Sequence, residues 1–257
     1  MNPSDATAGE GAGPKGTIDQ GEVARFRALA ERWWDPEGSF RPLHQLNPVR
    51  IAYVRDALAR RLGRDPLAPL PLDGLRLLDV GCGGGLIAEP MARLGAQVSA
   101  IDVVERNIEV ARLHAAQSGL AIDYRLEPIE DVAARGERFD VVLALEVVEH
   151  VADLPAFLGH CAEVLNPGGT LVVATLNRTA RSFALGIVAA EYVLQWLPRG
   201  THRWSRFVRP SELVPLLRDV GITVERLDGV SYDPLRGRFT LGTNLAVNYM
   251  ALGRTAA

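Results

Sequence analysis

Between residues 75 and 176 the chain alternates short apolar runs with segments of helical periodicity, and this alternation limits the folds open to it. Short apolar runs are typical of strands that a parallel sheet buries on both faces. Each intervening helix then returns the chain across the sheet in a right-handed crossover. We therefore predict an α/β fold, a doubly wound, mostly parallel sheet covered by helices. Its seven predicted strands are 75–80, 97–102, 122–126, 139–146, 170–176, 222–228 and 245–254, the last at an edge.

The remaining segments suggest one domain with two additions. Residues 1–16 are rich in Gly, Ala and Pro and lack a basic start followed by an apolar run, so a disordered tail is predicted rather than a signal peptide. A single domain over 17–257 follows, in which helices at 22–34 and 47–62 form an N-terminal cap (17–72). A helical insert, or lid, is predicted at 178–210.

Composition narrows the class of protein. The net charge of −3 argues against a nucleic-acid partner, which normally requires a basic excess. Two cysteines form neither a disulfide framework nor a zinc-binding pattern, and this usage suits the reducing cytoplasm.

A glycine-rich turn follows the first predicted strand in LDVGCGGGL, residues 78–86. Asp79 ends this strand, Gly81 and Gly83 form the turn, and Asp102 ends the second strand. Glycines allow a tight turn and present bare N–H groups to a ligand, and a carboxylate about 20 residues further on can accept from both ribose hydroxyls. The pattern predicts a nucleoside site. The alternative is that the glycines serve only strand–helix packing.

The type of nucleoside depends on the surrounding residues. Residues 83–88 also satisfy the G-x-G-x-x-A form of the dinucleotide fingerprint. However, the Asp79 carboxylate would repel a pyrophosphate, whereas it can hold a cationic or amino-bearing group. The resulting D-x-G-x-G-x-G pattern resembles motif I of class I S-adenosylmethionine-dependent methyltransferases. FDVVLALEVVEHV and LNPGGTLVVATLN resemble the fourth- and fifth-strand motifs of that superfamily.

A closer resemblance, to the ubiquinone biosynthesis O-methyltransferase family, runs from about residue 17 to about residue 253. It implies a Rossmann-like class I methyltransferase with S-adenosylmethionine as cofactor. The implied substrates are polyprenylated phenols or quinols, namely 2-polyprenyl-6-hydroxyphenol and 3-demethylubiquinol, methylated on ring hydroxyls. Other enzymes of the ubiquinone pathway become candidate partners. The similar segments are RWWDPEGSFRPLHQLNPVR, LDVGCGGG, EVVEHV, TLNRT, AEYVLQWLPRGTHRW and VNYM.

The resemblance also implies cofactor contacts at Arg50, Gly81, Asp102 and Leu145. Arg50 would approach the methionine carboxylate, which suits a guanidinium, and Leu145 would line the adenine pocket. Without the resemblance, Arg50 would be a surface residue of the second helix, and Leu145 a core residue at the end of a buried strand.

Glu146, Glu149 and His150 follow the fourth strand and form the sharpest chemical cluster. Two carboxylates and an imidazole are compatible with Mg²⁺ or Mn²⁺, and the resemblance implies metal use by some members. Alternatively, Glu149 and His150 cap the next helix or pair with each other. A third role is acid–base catalysis by His150 and Glu149, because a phenol with a pKa near 10 needs help to ionise at neutral pH.

The insert contains an apolar helix, predicted at 183–197, which is too short and interrupted to span a membrane. Together with nearby arginines it suggests that 182–209 contacts an anionic membrane surface, so that the protein is cytoplasmic and peripheral on the inner face of the membrane. A helix simply buried over the active site fits the periodicity equally well. The arginines are Arg178, Arg181, Arg199, Arg203, Arg206 and Arg209.

Other functions remain open from the residues alone. A methyltransferase acting on carbon or on another small molecule would share the same cofactor motifs. An NAD(P)-dependent oxidoreductase is disfavoured by Asp79 and by the lack of a recognisable hydride-positioning motif. A non-enzymatic binding module would leave the cluster after the fourth strand without a role.

Overall fold

The computed structural model of the chain describes residues 16–183, 204–233 and 236–257. Helices and strands alternate through most of this length, with a short 3₁₀ turn at Ala30–Arg32 and another at Trp204–Arg206. The helices are α1 (Gln20–Leu29), α2 (Arg41–Arg61), α3 (Ala88–Arg93), α4 (Glu105–Gln117), α5 (Ile129–Ala134), α6 (Leu154–Glu163), α7 (Ala180–Ser182) and α8 (Pro210–Asp219). The strands are β1 (Arg76–Val80), β2 (Gln97–Asp102), β3 (Asp123–Leu126), β4 (Phe139–Leu145), β5 (Leu165–Leu176), β6 (Ile222–Asp233), β7 (Arg238–Gly242) and β8 (Asn248–Thr255).

These strands form one mixed sheet in the order β3-β2-β1-β4-β5-β8-β6-β7. The first five are parallel, whereas β8 is antiparallel to both β5 and β6 and β7 is antiparallel to β6. The sheet therefore has eight strands rather than the predicted seven, because β6 continues into a hairpin with β7. The prediction that the last strand lies at an edge is also wrong: β8 is inserted between β5 and β6.

Alternating side chains of the central strands enter two different cores. Leu77 and Leu143 pack on one face, while their neighbours Leu78 and Val142 pack on the other. Strands with apolar residues on both faces need helices on both faces, as the sequence predicts. On the first face lie residues of α2, α3 and α4, and on the second lie residues of α5, α6 and α8.

The helix boundaries depart from prediction at three places. In the cap, α1 ends at Leu29 before a 3₁₀ turn, and α2 begins at Arg41, six residues before the predicted start at 47. Pro42 lies in the first turn of α2, where its missing N–H is tolerated. The six-residue helix α5 has no counterpart among the predicted elements, since a segment so short shows little periodicity.

Within the cap, α2 packs on the sheet, whereas the segment between α1 and α2 packs over the glycine-rich turn. Trp33 and Phe40 are buried and stack at 3.8 Å between ring centroids, and they share an apolar cluster with Ala30 and Leu86. The N-terminal segment is tied to the second helical layer as well. The backbone N–H of Thr17 donates to Oε1 of Glu130 at 2.7 Å.

The predicted lid helix at 183–197 and the predicted tail lie almost entirely outside the described residues. The two stems that flank the insert are joined: Trp204 Nε1 donates to the carbonyl of Thr179 at 3.0 Å, and Arg178 Nη1 donates to the carbonyl of Ser205 at 3.1 Å. Among the helices of the described ranges, none is long and apolar enough to cross a membrane.

Candidate active site

The carboxyl ends of β1, β2 and β4 meet where the strand order reverses, between β1 and β4. This is the position at which open α/β sheets bind ligands. A cavity of about 700 Å³ opens there. All the residues predicted to bind the cofactor line it, as do the three cluster residues: Arg50, Asp79, Gly81, Gly83, Asp102, Leu145, Glu146, Glu149 and His150.

The glycines of the turn are required by both backbone and space. Gly81 and Gly83 have φ angles of 69° and 53°, which residues with a Cβ rarely adopt. A Cβ at Gly81 would lie 2.6 Å from Cγ2 of Val147, and one at Gly83 would lie 2.4 Å from the ring of Trp33. Close packing is thus a real function of these glycines, and it occurs at the wall of the cavity.

Asp102 organises the turn from the end of β2. Its carboxylate accepts hydrogen bonds from the N–H of Gly83 at 2.9 Å and from the N–H of Val104 at 2.8 Å. Burial raises the pKa of Asp102, and these hydrogen bonds, with one from Asn107, oppose that shift. Since a carboxylate has about four acceptor positions, it can also accept from ligand hydroxyls.

Asn107 and Trp33 also line the cavity, although neither was among the predicted site residues. Trp33 Nε1 donates to Oδ1 of Asn107 at 2.8 Å, which links the cap to Asp102. Trp34 lies next to the turn and donates to the carbonyl of Gly84 at 2.9 Å. Nothing in the local pattern marks Asn107, which lies in the first turns of α4 and is buried.

Asp79 is buried at the end of β1. Within the described residues its Oδ2 atom has no hydrogen-bond partner. Burial and the nearby Asp102 raise the pKa of Asp79 to about 7, with Arg50 acting in the opposite direction. A buried carboxyl with an unpaired oxygen is an acceptor to which a ligand's ammonium or cationic group can donate.

Arg50 is buried on α2, not exposed at the surface. Its Nη2 lies 2.5 Å from Oε1 of Glu146, and its Nη1 donates to Oδ1 of Asn47 at 3.3 Å. The Nε atom has no partner among the described residues. The guanidinium thus combines an internal ion pair with a donor still available at the cavity wall.

Glu146 has a strained backbone. Its φ of 57° is the one positive value among the non-glycine residues that the structure describes. Its Oε1 accepts from Nδ2 of Asn248 on β8 at 3.0 Å, in addition to the ion pair with Arg50. Such strain is typical of functional sites, and here it occurs where β4 reaches the cavity.

Glu149 and His150 have separate partners. Thr175 on β5 donates to Oε2 of Glu149 at 2.8 Å, and burial together with the neighbouring Glu146 raises the pKa of Glu149 well above its usual range. Nδ1 of His150 lies 2.8 Å from Oε2 of Glu22, a residue of α1. His150 therefore pairs with Glu22, and both residues line the cavity.

Metal binding by Glu146, Glu149 and His150 stays a prediction. No group of three or more His, Cys, Asp or Glu side chains within residues 16–183, 204–233 and 236–257 is arranged to hold a metal ion. Glu146 is engaged by Arg50 and Asn248, Glu149 by Thr175, and His150 by Glu22. The three predicted ligands line one cavity, and Glu149 neighbours Glu146 there.

Comparison with known proteins identifies the family. A methyltransferase-domain model matches residues 49–227. A protein of Chelativorans sp. (strain BNC1) is 56% identical over 236 residues, covering 92% of this chain and 93% of the relative. A protein of Mesorhizobium japonicum is 54% identical over 238 residues, covering 93% and 96%. Both are named ubiquinone biosynthesis O-methyltransferase.

The chain belongs to the ubiquinone biosynthesis O-methyltransferase family. The resemblance read from the sequence is thereby confirmed, and the enzyme is an S-adenosylmethionine-dependent O-methyltransferase. Family membership excludes the NAD(P)-dependent oxidoreductase and the non-enzymatic binding module.

Solved structures share the fold at much lower identity. Magnesium protoporphyrin IX methyltransferase from Synechocystis PCC 6803 with bound S-adenosylmethionine has a TM-score of 0.60 and 17% identity, covering 95% of this chain and all of that one. A methyltransferase from Thermotoga maritima has a TM-score of 0.57 and 20% identity, covering 91% and 98%. These neighbours confirm the predicted α/β class and its mostly parallel core.

Proposed function

We propose that this enzyme methylates ring hydroxyls of polyprenylated phenol and quinol intermediates of ubiquinone biosynthesis, with 2-polyprenyl-6-hydroxyphenol and 3-demethylubiquinol as acceptors. The observation that carries the proposal is the composition of the cavity. One end holds the polar groups Asp79 and Asp102, and the other is lined by apolar side chains of the antiparallel strands, including Val230 and Phe239. A polar nucleoside and an apolar ring thus fit in one continuous space.

The cofactor roles follow the polar groups. Asp102 accepts from the ribose hydroxyls, Asp79 holds the amino end, and Arg50 binds the methionine carboxylate. Gly81 and Gly83 let the backbone approach the cofactor, and Leu145 packs against the adenine. S-adenosylmethionine supplies a methyl group already activated by its sulfonium.

The protein's chemical task is to orient the acceptor and remove its proton. We assign the base to His150, because the carboxylate of Glu22 holds its ring in place at Nδ1 and stabilises a positive charge on it. His150 would take the proton of the ring hydroxyl, and the deprotonated oxygen would accept the methyl group that S-adenosylmethionine supplies when bound, leaving S-adenosylhomocysteine. Glu149 is not the base in this proposal. Its raised pKa favours the protonated carboxyl, which cannot take up the proton of the acceptor.

In this proposal the insert helps the enzyme reach an apolar acceptor at the membrane. Residues 182–209 contact an anionic membrane surface, so that the enzyme acts at the inner face of the membrane, within reach of other ubiquinone-pathway enzymes. Phe183 and Trp204 are exposed and in contact with each other, as aromatic residues at a membrane interface would be. Arg206 forms an ion pair with Asp19 at 2.6 Å, so its positive charge is less available to attract anionic lipid.

Flotation with liposomes tests this part. The enzyme should float with vesicles that contain an anionic lipid. With neutral vesicles it should stay in the unbound fraction at the bottom of the gradient. Changing Arg181, Arg199 and Arg203 together to Gln should abolish flotation, whereas the same change at the distant Arg135 should not. Absence of wild-type flotation with anionic vesicles would contradict the membrane contact.

An acceptor assay tests the main proposal. Purified enzyme and S-adenosylmethionine are incubated with each acceptor and with versions that lack the polyprenyl tail. The tailed acceptors should be methylated with the higher kcat/KM, because the apolar end of the cavity binds apolar surface. Equal values with and without the tail would contradict the assignment of that end.

A further inference from the structure

Asn248, on β8, lies where the two ends of the cavity meet. Its cross-strand neighbours are Leu176 on β5 and Val230 on β6. It is 7% exposed and lines the cavity. An amide side chain between two apolar residues needs hydrogen-bond partners, because a buried polar group without them is destabilising.

The amide nitrogen of Asn248 has a hydrogen-bond partner. Nδ2 of Asn248 donates to Oε1 of Glu146 at 3.0 Å. A carboxylate can only accept, so this contact fixes which way the amide is oriented. The Oδ1 atom must therefore be on the side away from Glu146.

The amide oxygen of Asn248 has no such partner among the described residues. This Oδ1 atom is buried. An unsatisfied buried acceptor destabilises the protein. The cost is recovered if a ligand in the cavity supplies a donor.

We propose that Oδ1 of Asn248 accepts a hydrogen bond from the ring hydroxyl adjacent to the one being methylated. The side chain is part of the cavity wall, so a hydroxyl bound beside it in the cavity can supply the missing donor. The inference rests on the proposed function and adds to it a residue that selects acceptors by their second hydroxyl.

The acceptor chemistry agrees with this role. In 2-polyprenyl-6-hydroxyphenol the reacting hydroxyl has a phenolic hydroxyl on the neighbouring carbon. In 3-demethylubiquinol it has a quinol hydroxyl there. One acceptor atom can therefore recognise both acceptors, and a site that bonds a hydroxyl discriminates strongly against an analogue lacking it.

The test pairs a change in the enzyme with a change in the acceptor. Asn248→Leu and the wild type are assayed with 2-polyprenyl-6-hydroxyphenol and with an analogue whose neighbouring hydroxyl is replaced by hydrogen. In the wild type, kcat/KM should fall at least tenfold with the analogue. In Asn248→Leu the two acceptors should differ less than threefold. Binding of S-adenosylhomocysteine, measured by calorimetry, should be unchanged.

Asn177 offers a matched control. It is also buried, its Nδ2 donates to the carbonyl of Leu245 at 2.8 Å, and its Oδ1 likewise has no partner within the described residues. It is not one of the cavity-lining residues. Asn177→Leu should keep the wild-type preference for the dihydroxy acceptor, even if it lowers stability to the same extent.

The outcomes distinguish a failure of the role of Asn248 from a failure of the proposed function. An equal loss with the analogue in the wild type and in Asn248→Leu would overturn the role of Asn248 while leaving the proposed function intact. No methylation of either tailed acceptor by wild-type enzyme would overturn the proposed function itself. If Asn248→Leu does not fold, Asn248→Ser, whose hydroxyl is too short to serve both partners, is put through the same comparison.

Discussion

The guanidinium of Arg50 lies 2.5 Å from the carboxylate of Glu146, and this pair joins the N-terminal cap to the end of β4 inside the cavity. Both side chains are largely buried, with 4% and 16% of their surfaces exposed. A cofactor carboxylate that binds Arg50 has to share it with Glu146. The ion pair thus engages the same arginine that the cofactor is proposed to use.

Glu146→Gln is expected to separate stability from cofactor affinity. Loss of the carboxylate leaves a buried guanidinium without its counter-ion and should destabilise the ligand-free enzyme by about 2–3 kcal/mol. The affinity for S-adenosylhomocysteine should not fall, because a competitor for Arg50 is removed. Thermal unfolding and calorimetric titration measure the two quantities. The control is Glu37→Gln, which removes an exposed partner of Arg41 and should change neither.

The pKa of Asp79, raised to about 7, predicts a pH dependence of stability. The folded ligand-free enzyme holds a proton on Asp79 that the unfolded chain releases near pH 4, so this group's contribution to stability is complete below pH 4 and is lost as the pH rises towards 7. Asp79→Asn avoids that loss. Its stability advantage over the wild type should grow by about 2–3 kcal/mol between pH 5 and pH 7 and stay constant above. An advantage that is the same at pH 5 and pH 8 would show that Asp79 is ionised throughout.

Gly83→Ala tests the contact between the cap and the glycine turn. The added Cβ would lie 2.4 Å from the ring of Trp33, in addition to the cost of a left-handed backbone. Gly119→Ala is the matched control, since Gly119 has a φ of 67° and nothing within 4 Å of the added atom. Gly119→Ala should cost about 1–2 kcal/mol, and Gly83→Ala clearly more in urea unfolding. Equal costs would mean that Trp33 does not pack on the turn.

His150→Asn should impair chemistry without impairing cofactor binding. Removal of the proposed base should lower kcat at least a hundredfold, while the Kd for S-adenosylhomocysteine stays within a factor of three. His160→Asn serves as the comparison, because His160 pairs with Glu163 within α6 and is not one of the residues that line the cavity. A small effect on kcat for His150→Asn would exclude it as the base.

The strand ends of the parallel half were predictable from the sequence, because strand and helix periodicities place Asp79 and Asp102 at one edge of a parallel sheet. The position of β8 was not. An apolar strand at the end of a chain reads the same whether it lies at an edge or between two others, and only its pairing with β5 and β6 decides this.

The contacts within the site were the least predictable part. Asn248 and Glu146 are 102 residues apart, and Glu22 and His150 are 128 apart. Such pairs leave no local signal, since each partner alone resembles an ordinary polar residue. The cluster after β4 shows this as well: the spacing of Glu146, Glu149 and His150 indicates that they are close, but not that Arg50, Thr175 and Glu22 engage them.

The most direct measurement locates the transferred methyl group. The enzyme is incubated with S-adenosylmethionine carrying a ¹³C-labelled methyl group and with 3-demethylubiquinol, and the product is examined by nuclear magnetic resonance. The account predicts a single labelled methoxy group at the former ring hydroxyl. A label on a ring carbon, or no labelled product from an enzyme that binds S-adenosylhomocysteine, would contradict it.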